Sequence, residues 1–521
     1  MTPGAVSVQL SAPPRRSRRP GAPALIDLGL AVVVGLAVLV VHDVPYLLHH
    51  SLWLDEAWVA DTVRARPGLT PSLASSTPLG WTYLLRLVPF GGPQRLRLVP
   101  LAFTMLAAAV GYLFGRELRL TPFVTGILTG AAVLLSPAML VRGDLKQYTA
   151  EAFACLVVWV LVARLENEWR IRRLAAVAAV ASFGLLFANT VIFVGVAAMA
   201  CLGLECLVRR EFRRLIAVAV AGAGMLAVSL VIYVTLIGPQ VTHNLTAYWT
   251  AYYAPRSVSG VVKFLHLMLT QLAPYAGFRL LIVDAAGVLA GVAALVWLRR
   301  IALAALFPVT LVIVLAASVA RKYPFGDLRT STFWLVTAPL LMAVAVAAAA
   351  HLAARLDRRV PVVVAAAALA VWVPVTDPFI RSHQIPNEDV HAEVTYLDGH
   401  FRAGDVVIVS YAASYAFAYY YPRANPSFVA DPVGPNAHRP AYPHQPWIVV
   451  MPNRQAADVA NALAAARARI AAEPAAARGR IWIVRSHLGR TEIRAWRRDL
   501  AGDRVQTLHV GRDPILLYTP S

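Results

Sequence analysis

Nothing restricts the folds open to this chain more than a series of long apolar stretches divided by short arginine clusters. The hydrocarbon layer of a bilayer is about 30 Å thick, so a spanning helix needs about 20 mostly apolar residues. The pattern predicts eleven spans, at 24–41, 98–114, 122–141, 149–163, 174–187, 191–207, 215–237, 280–298, 301–320, 332–350 and 360–375. With 58% hydrophobic and 15% charged residues among 521, the chain lies outside soluble composition and reads as a polytopic α-helical membrane protein. The first run, behind the basic residues 13–20, is not a signal peptide: no small-x-small cleavage site follows it and ten more runs come later. Residues 1–23 are expected to form a disordered basic cytoplasmic arm, and 24–378 the membrane domain.

Topology tests the span count. With the N-terminus inside, the inner loops hold Arg116 and Arg119; Arg164, Arg170, Arg172 and Arg173; Arg209, Arg210, Arg213 and Arg214; Arg299 and Arg300; and Arg355, Arg358 and Arg359. Each short inner loop carries at least two arginines, as the sorting of positive charge to the cytoplasmic side requires. The net charge of +20 is thereby explained without nucleic acid, and no nucleic-acid partner is expected. The stretch 174–207 offers a turn only at Ala188-Asn189-Thr190. As one helix it would be about 50 Å long with arginines on both sides, so a hairpin of two short spans fits better. Cys155, Cys201 and Cys206 fall within apolar runs and suggest neither a disulfide nor a metal pair.

The same parity places 42–97, 142–148, 238–279, 321–331 and the tail outside, in a plasma (inner) membrane protein. From about 380 the character changes: "DVVIVS", "PWIVVM" and "RIWIVR" read as strands alternating with helical stretches, so 379–521 is expected to be a soluble α/β domain. It has no Gly-rich phosphate loop after a strand, and no nucleotide site is expected in it.

The outer segments concentrate polar chemistry. Asp55 and Glu56 lie in "WLDEAWVADT" beside Trp58, where acids in a first helical turn also favour the helix dipole and tryptophans anchor at headgroups. "RGDLKQYTAE" brings Arg142, Lys146 and Tyr148 to a short turn; "RKYPFGDLRTS" brings Arg321, Lys322, Tyr323 and Arg329. Cations on the side that the sorting rule disfavours ask for an anionic partner, and a phosphate at the membrane surface would supply it. "THNLTAYWTAYYAPR" carries His243, Tyr248 and Trp249, whose rings suit sugar faces as well as an interfacial belt.

Taken in order, these motifs resemble those of the GT-C superfamily of membrane glycosyltransferases, in particular bacterial relatives of protein O-mannosyltransferases and lipid A aminoarabinose transferases. "WLDEA" is similar to the acidic motif of the first outer loop, "STPLGWTYLL" to the proline-containing motif after it, "KQYTAE" to a basic-x-Tyr string, and "KYPFGDLRTSTFWLVTAPLL" to a late outer loop followed by a span. The resemblance covers most of 25–350. It departs in having Pro78 alone where relatives often have a proline pair, and lysine rather than arginine at 146. It implies transfer of a sugar from a polyprenyl-phosphate donor to a glycan, lipid or protein acceptor on the outer face. Asp55 would be the general base; Glu56 would orient the acceptor or cap its helix. Arg321, Lys322 and Arg329, with Lys146 and Arg142 as second candidates, would hold the donor phosphate; Tyr148, Tyr323, Trp58, Tyr248, Trp249 and His243 would line the substrate site. Some relatives use a divalent metal, but this sequence has no His/Asp cluster of ligand spacing, so no metal or other cofactor is expected. The other partners are membrane lipids.

Two other classes fit the span pattern. A multi-span transporter would need paired halves with matching broken helices, and none is visible. A non-catalytic envelope scaffold or sensor with an outer α/β module would leave the outward Arg and Lys without a partner.

Overall fold

The computed structural model describes residues 22–65, 68, 77–88, 93–142, 144–381, 388–431, 434, 437–474, 479–510 and 514–519. The basic arm lies outside them but for Ala22 and Pro23. Each of the eleven expected stretches contains a helix, and among the described residues seven helices are long and apolar enough to cross a membrane: Arg95–Glu117, Tyr148–Asn167, Val191–Val208, Phe212–Gln240, Ile301–Val319, Leu328–Ala353 and Val360–Ile380. Leu25–Val41, Pro122–Leu134 and Leu281–Trp297 are apolar but shorter. The hairpin expected in 174–207 is formed by Ile171–Phe183 and Val191–Val208, with a 3-10 turn Gly184–Leu186 between them. At 1.5 Å per residue Ile171–Phe183 is about 20 Å long, short of a hydrocarbon layer of about 30 Å.

Small residues let these helices approach closely, as they do where lipid removes the hydrophobic drive for association. Leu98–Glu117 and Pro122–Leu134 meet at Gly115, where an added Cβ would stand 2.2 Å from Thr129 Oγ1 and 2.5 Å from the Thr125 carbonyl. An added Cβ at Gly291 would collide with the Leu341 carbonyl in the same way.

The two ends of the bundle differ in kind. At one end the loop arginines pair locally: Arg116 with Asp27, Arg164 with Glu117 at 2.8 Å, and Arg209 with Glu205 at 2.8 Å. At the other end lie the Leu54–Arg64 helix, the 144–147 turn, the start of the Leu328–Leu335 helix and the C-terminal α/β region.

That α/β region is built on a five-stranded sheet of order β4-β1-β5-β7-β6, with β1 Val406–Val409, β4 Ile448–Val450, β5 Ile481–Val484, β6 Val505–Leu508 and β7 Ile515–Tyr518. The three strands expected from the sequence are β1, β4 and β5, paired in parallel; β7 runs antiparallel to β5 and β6. β2 Ser427–Ala430 and β3 His438–Ala441 form a separate antiparallel pair. The period-two alternation of strands divides the core. Val406, Ile408, Ile481 and Ile483 face the helices Ala456–Ala472 and Arg490–Asp499. Val407, Val409, Trp482 and Val484 face Val390–His400 and Ser414–Tyr420, in a core that continues into Leu52, Ala57, Trp58, Trp81 and Leu85 of the first loop. These described residues of the first loop are therefore packed beneath the sheet.

Candidate functional site

The first loop is fixed by a buried ion pair. Arg97 donates to Glu56 Oε1 at 2.8 Å from Nε and to Oε2 at 2.5 Å from Nη2, and its remaining N–H groups reach the carbonyls of Leu47, His50 and Ser51. Both side chains are fully enclosed. Glu56 also accepts from Trp53 N at the start of its own helix, at 3.4 Å, and from Leu145 N at 3.2 Å. Trp81, in the proline-containing motif, donates through Nε1 to the Leu145 carbonyl at 2.8 Å. Three segments distant in sequence are thus joined at Glu56 and Leu145. With every lone pair of Glu56 directed at the protein, this carboxylate caps its own helix, the second of the two roles expected for it, and positions the loop.

Asp55, one helical step away, turns to the open side, with 21% of its side chain exposed. Arg329 Nη1 donates to Asp55 Oδ2 at 2.9 Å. Arg329 lies in the first turn of Leu328–Leu335, where a cation opposes the helix dipole. The placement is compensated by Asp327, the N-cap, whose Oδ1 accepts from Arg329 N at 3.0 Å and from Arg329 Nε at 3.2 Å. The guanidinium also stands 5.4 Å from the Trp249 ring centroid and 3.5 Å from the Tyr248 hydroxyl.

Beside this pair, Lys146 is 4% exposed, with Nζ 4.0 Å from the centroid of the Trp58 ring, and its charge interacts with Asp55, Arg329 and Asp144. Among the described residues it makes no ion pair. Burial draws its ammonium below the ordinary lysine value, against the pull of Asp55. Arg142 Nη1 donates to Asp144 at 3.3 Å, and its guanidinium faces the Tyr148 ring at 5.9 Å. Burial pushes the Asp144 carboxyl up to about 6, with Arg142 acting in the opposite sense. Tyr323 donates to the Thr330 carbonyl at 3.0 Å, and burial raises its phenol.

The structure thus brings Asp55, Arg329, Lys146, Arg142, Tyr148, Tyr248 and Trp249 together over Trp58, with Tyr323 holding the Arg329 turn. It leaves Arg321 and Lys322 apart, on the exposed surface. They follow Ile301–Val319: Arg321, at φ 56°, donates its N–H to the Ser318 carbonyl and Lys322 to that of Ala317. Cations favour a helix C-terminus, so these two have a local reason that the sorting rule ignores. His243 is exposed in the first turn of His243–Tyr248 and joins no part of the cluster. Sequence reasoning missed Arg97 and Asp327. Asp327 alone carried a signal, as an Asp directly before a helix start. Among the described residues no three His, Cys, Asp or Glu side chains gather as a metal-ligand set.

Among solved structures, this chain is similar to two crystal structures of ArnT from Cupriavidus metallidurans. The apo state matches with a TM-score of 0.55 at 13% identity, over 96% of this chain and 99% of that one. The form bound to undecaprenyl phosphate matches with a TM-score of 0.51 at 14% identity, over 95% and 97%. At such identity the likeness establishes architecture: the chain has the GT-C fold, with its α/β region included in the match. No family model and no curated protein matches the sequence.

Proposed function

We propose that this GT-C-fold chain is an inverting glycosyltransferase that moves a sugar from a polyprenyl-phosphate donor to an acceptor hydroxyl on the outer face of the inner membrane. The observation that carries it is the Asp55–Arg329 pair with Lys146 beside it, at the end of the bundle opposite the paired loop arginines. The likeness to a structure holding undecaprenyl phosphate supports a lipid-phosphate donor. In the displacement, the acceptor oxygen bonds to C1 while the bond from C1 to the phosphate oxygen breaks, through an oxocarbenium-like state. Asp55 Oδ2 is held by Arg329, and Oδ1 takes the proton of the attacking hydroxyl. The leaving polyprenyl phosphate is already a stable anion and needs no acid. Lys146, which makes no ion pair among the described residues, and Arg329 hold it as charge develops. The rings of Trp58, Tyr248 and Trp249 give the sugar flat faces to rest on.

The test is Asp55→Asn in purified full-length protein. Transfer from radiolabelled polyprenyl-phosphate sugars to an envelope lipid extract is expected to fall by about 10² to 10⁴, the usual contribution of a general base, with undecaprenyl phosphate still bound. Near-wild-type turnover would remove Asp55 from the mechanism.

A further inference from the structure

One buried carboxylate ties the Asp55 helix to the α/β region. Glu388, 5% exposed, accepts from Leu54 N through Oε2 at 3.1 Å, and its Oε1 lies 2.6 Å from His487 Nδ1. Its backbone carbonyl accepts from Ser51 Oγ at 2.6 Å. The residue next to Asp55 and the imidazole of His487 are therefore set by the same side chain, although 433 positions separate Leu54 from His487.

His487 follows β5, and Arg454 follows β4, both at the carboxyl edge of the parallel strands, where open α/β sheets bind ligands. His487 has a left-handed backbone, φ 50°, a conformation that is costly for a residue with a Cβ and that collects at functional sites. Its ring is exposed, and Nδ1 is the ring nitrogen that Glu388 engages. A carboxylate on Nδ1 fixes ring orientation and leaves Nε2 for another partner. Asp55 and Arg454 are both within electrostatic range of this imidazole.

We propose that His487 is an acceptor-binding residue: with the ring aimed by Glu388, Nε2 hydrogen-bonds an oxygen of the acceptor and holds the attacking hydroxyl against Asp55. This rests on the glycosyl-transfer function proposed above and assigns the acceptor side of that site to the α/β region. The hydrogen bond that His487 donates to Glu388 raises the imidazole above its ordinary value, with Asp55 acting in the same sense and burial and Arg454 against it. In the imidazolium form Nε2–H donates, and its partner is a hydroxyl, carbonyl or phosphate oxygen of a polar acceptor headgroup.

The experiment separates acceptor from donor. Full-length wild type, His487→Ala, His487→Gln and Glu388→Gln are reconstituted in nanodiscs. Undecaprenyl phosphate binding is measured, and transfer of tritiated sugar from polyprenyl-phosphate mannose and polyprenyl-phosphate arabinose is followed against increasing envelope lipid extract. His487→Ala is expected to raise the half-saturating amount of extract about tenfold, the loss of one hydrogen bond to a charged donor, with undecaprenyl phosphate affinity unchanged. Gln, which keeps an N–H near Nε2, recovers part of the loss, and Glu388→Gln shifts it in the same direction as Ala. An unaltered acceptor dependence in His487→Ala overturns the proposal. So does an equal loss of undecaprenyl phosphate affinity, which would make the histidine a strut for the Asp55 helix. Wild-type protein that neither binds undecaprenyl phosphate nor transfers either sugar overturns the transferase function itself, and this assignment with it.

Discussion

A rotation of about 100° along the Leu54–Arg64 helix separates Asp55 from Glu56, and it decides what each carboxylate meets. Glu56 turns inward to Arg97 and Leu145 N, Asp55 outward to Arg329. Removing one partner of an enclosed ion pair leaves the other charged and unsolvated, at a cost of about 3–5 kcal/mol. Glu56→Ala is therefore expected to lower thermal stability sharply, and Asp55→Asn to leave it within about 1 kcal/mol, since the Asp55–Arg329 pair is partly solvated. A melting curve of each variant in the same detergent checks this; equal melting temperatures would refute the division. Arg329→Ala is expected to weaken undecaprenyl phosphate binding about tenfold or more by loss of a charge-assisted contact, whereas Arg321→Ala, at the exposed helix end, is expected to leave it unchanged. Titration of the lipid phosphate against both variants decides between them. The acids themselves are legible in "WLDEA"; which one faces the site is not, because Arg97 lies 41 positions away and no local pattern announces it.

At the level of elements, the helices and parallel strands follow from periodicity, because the bilayer and the sheet impose periods that a single sequence displays. The first turn of Leu328–Leu335 starts four residues before the expected span at 332, since Asp327 caps it and Arg329 is drawn toward Asp55. The Glu388–His487 link was illegible for the opposite reason: both residues sit in irregular segments with no period. The 144–147 turn yields a prediction of its own. Its Asp144 has a folded value of about 6, above the 3.8 of a free carboxyl, so it is neutral below that pH and charged above it. Once charged, it competes with the donor phosphate for Arg142 and Lys146. Asp144→Asn is thus expected to bind undecaprenyl phosphate more tightly than wild type at pH 7.5, with the difference closing as pH falls through 6. Binding isotherms at several pH values test it, and a constant ratio across them would exclude Asp144 as the titrating group.

For the whole molecule, the asymmetry between the two ends of the bundle yields a prediction of which side each end occupies. The loops holding Arg116, Arg164 and Arg209 pair their arginines with Asp27, Glu117 and Glu205 at one end, while Asp55, Arg329, Lys146 and the α/β region share the other. Arginine-rich short loops stay on the cytoplasmic side during insertion, so the α/β region is expected outside. That placement also suits the proposed chemistry, since a donor carried on a lipid phosphate would serve a site that nucleotide sugars do not reach. The three native cysteines are buried, which permits a labelling test with little background. Ala464→Cys, on the exposed face of Ala456–Ala472, and Arg172→Cys, in the loop-proximal turn of Ile171–Phe183, each place one thiol at opposite ends. In intact cells a membrane-impermeant maleimide is expected to label Ala464→Cys and to label Arg172→Cys only after the membrane is opened. The reverse pattern would invert the topology and leave Asp55 facing the cytoplasm, where a polyprenyl-phosphate donor presented to the outer leaflet could not meet it. Labelling of both in intact cells would instead break the separation of the two ends on which the donor and acceptor assignments depend.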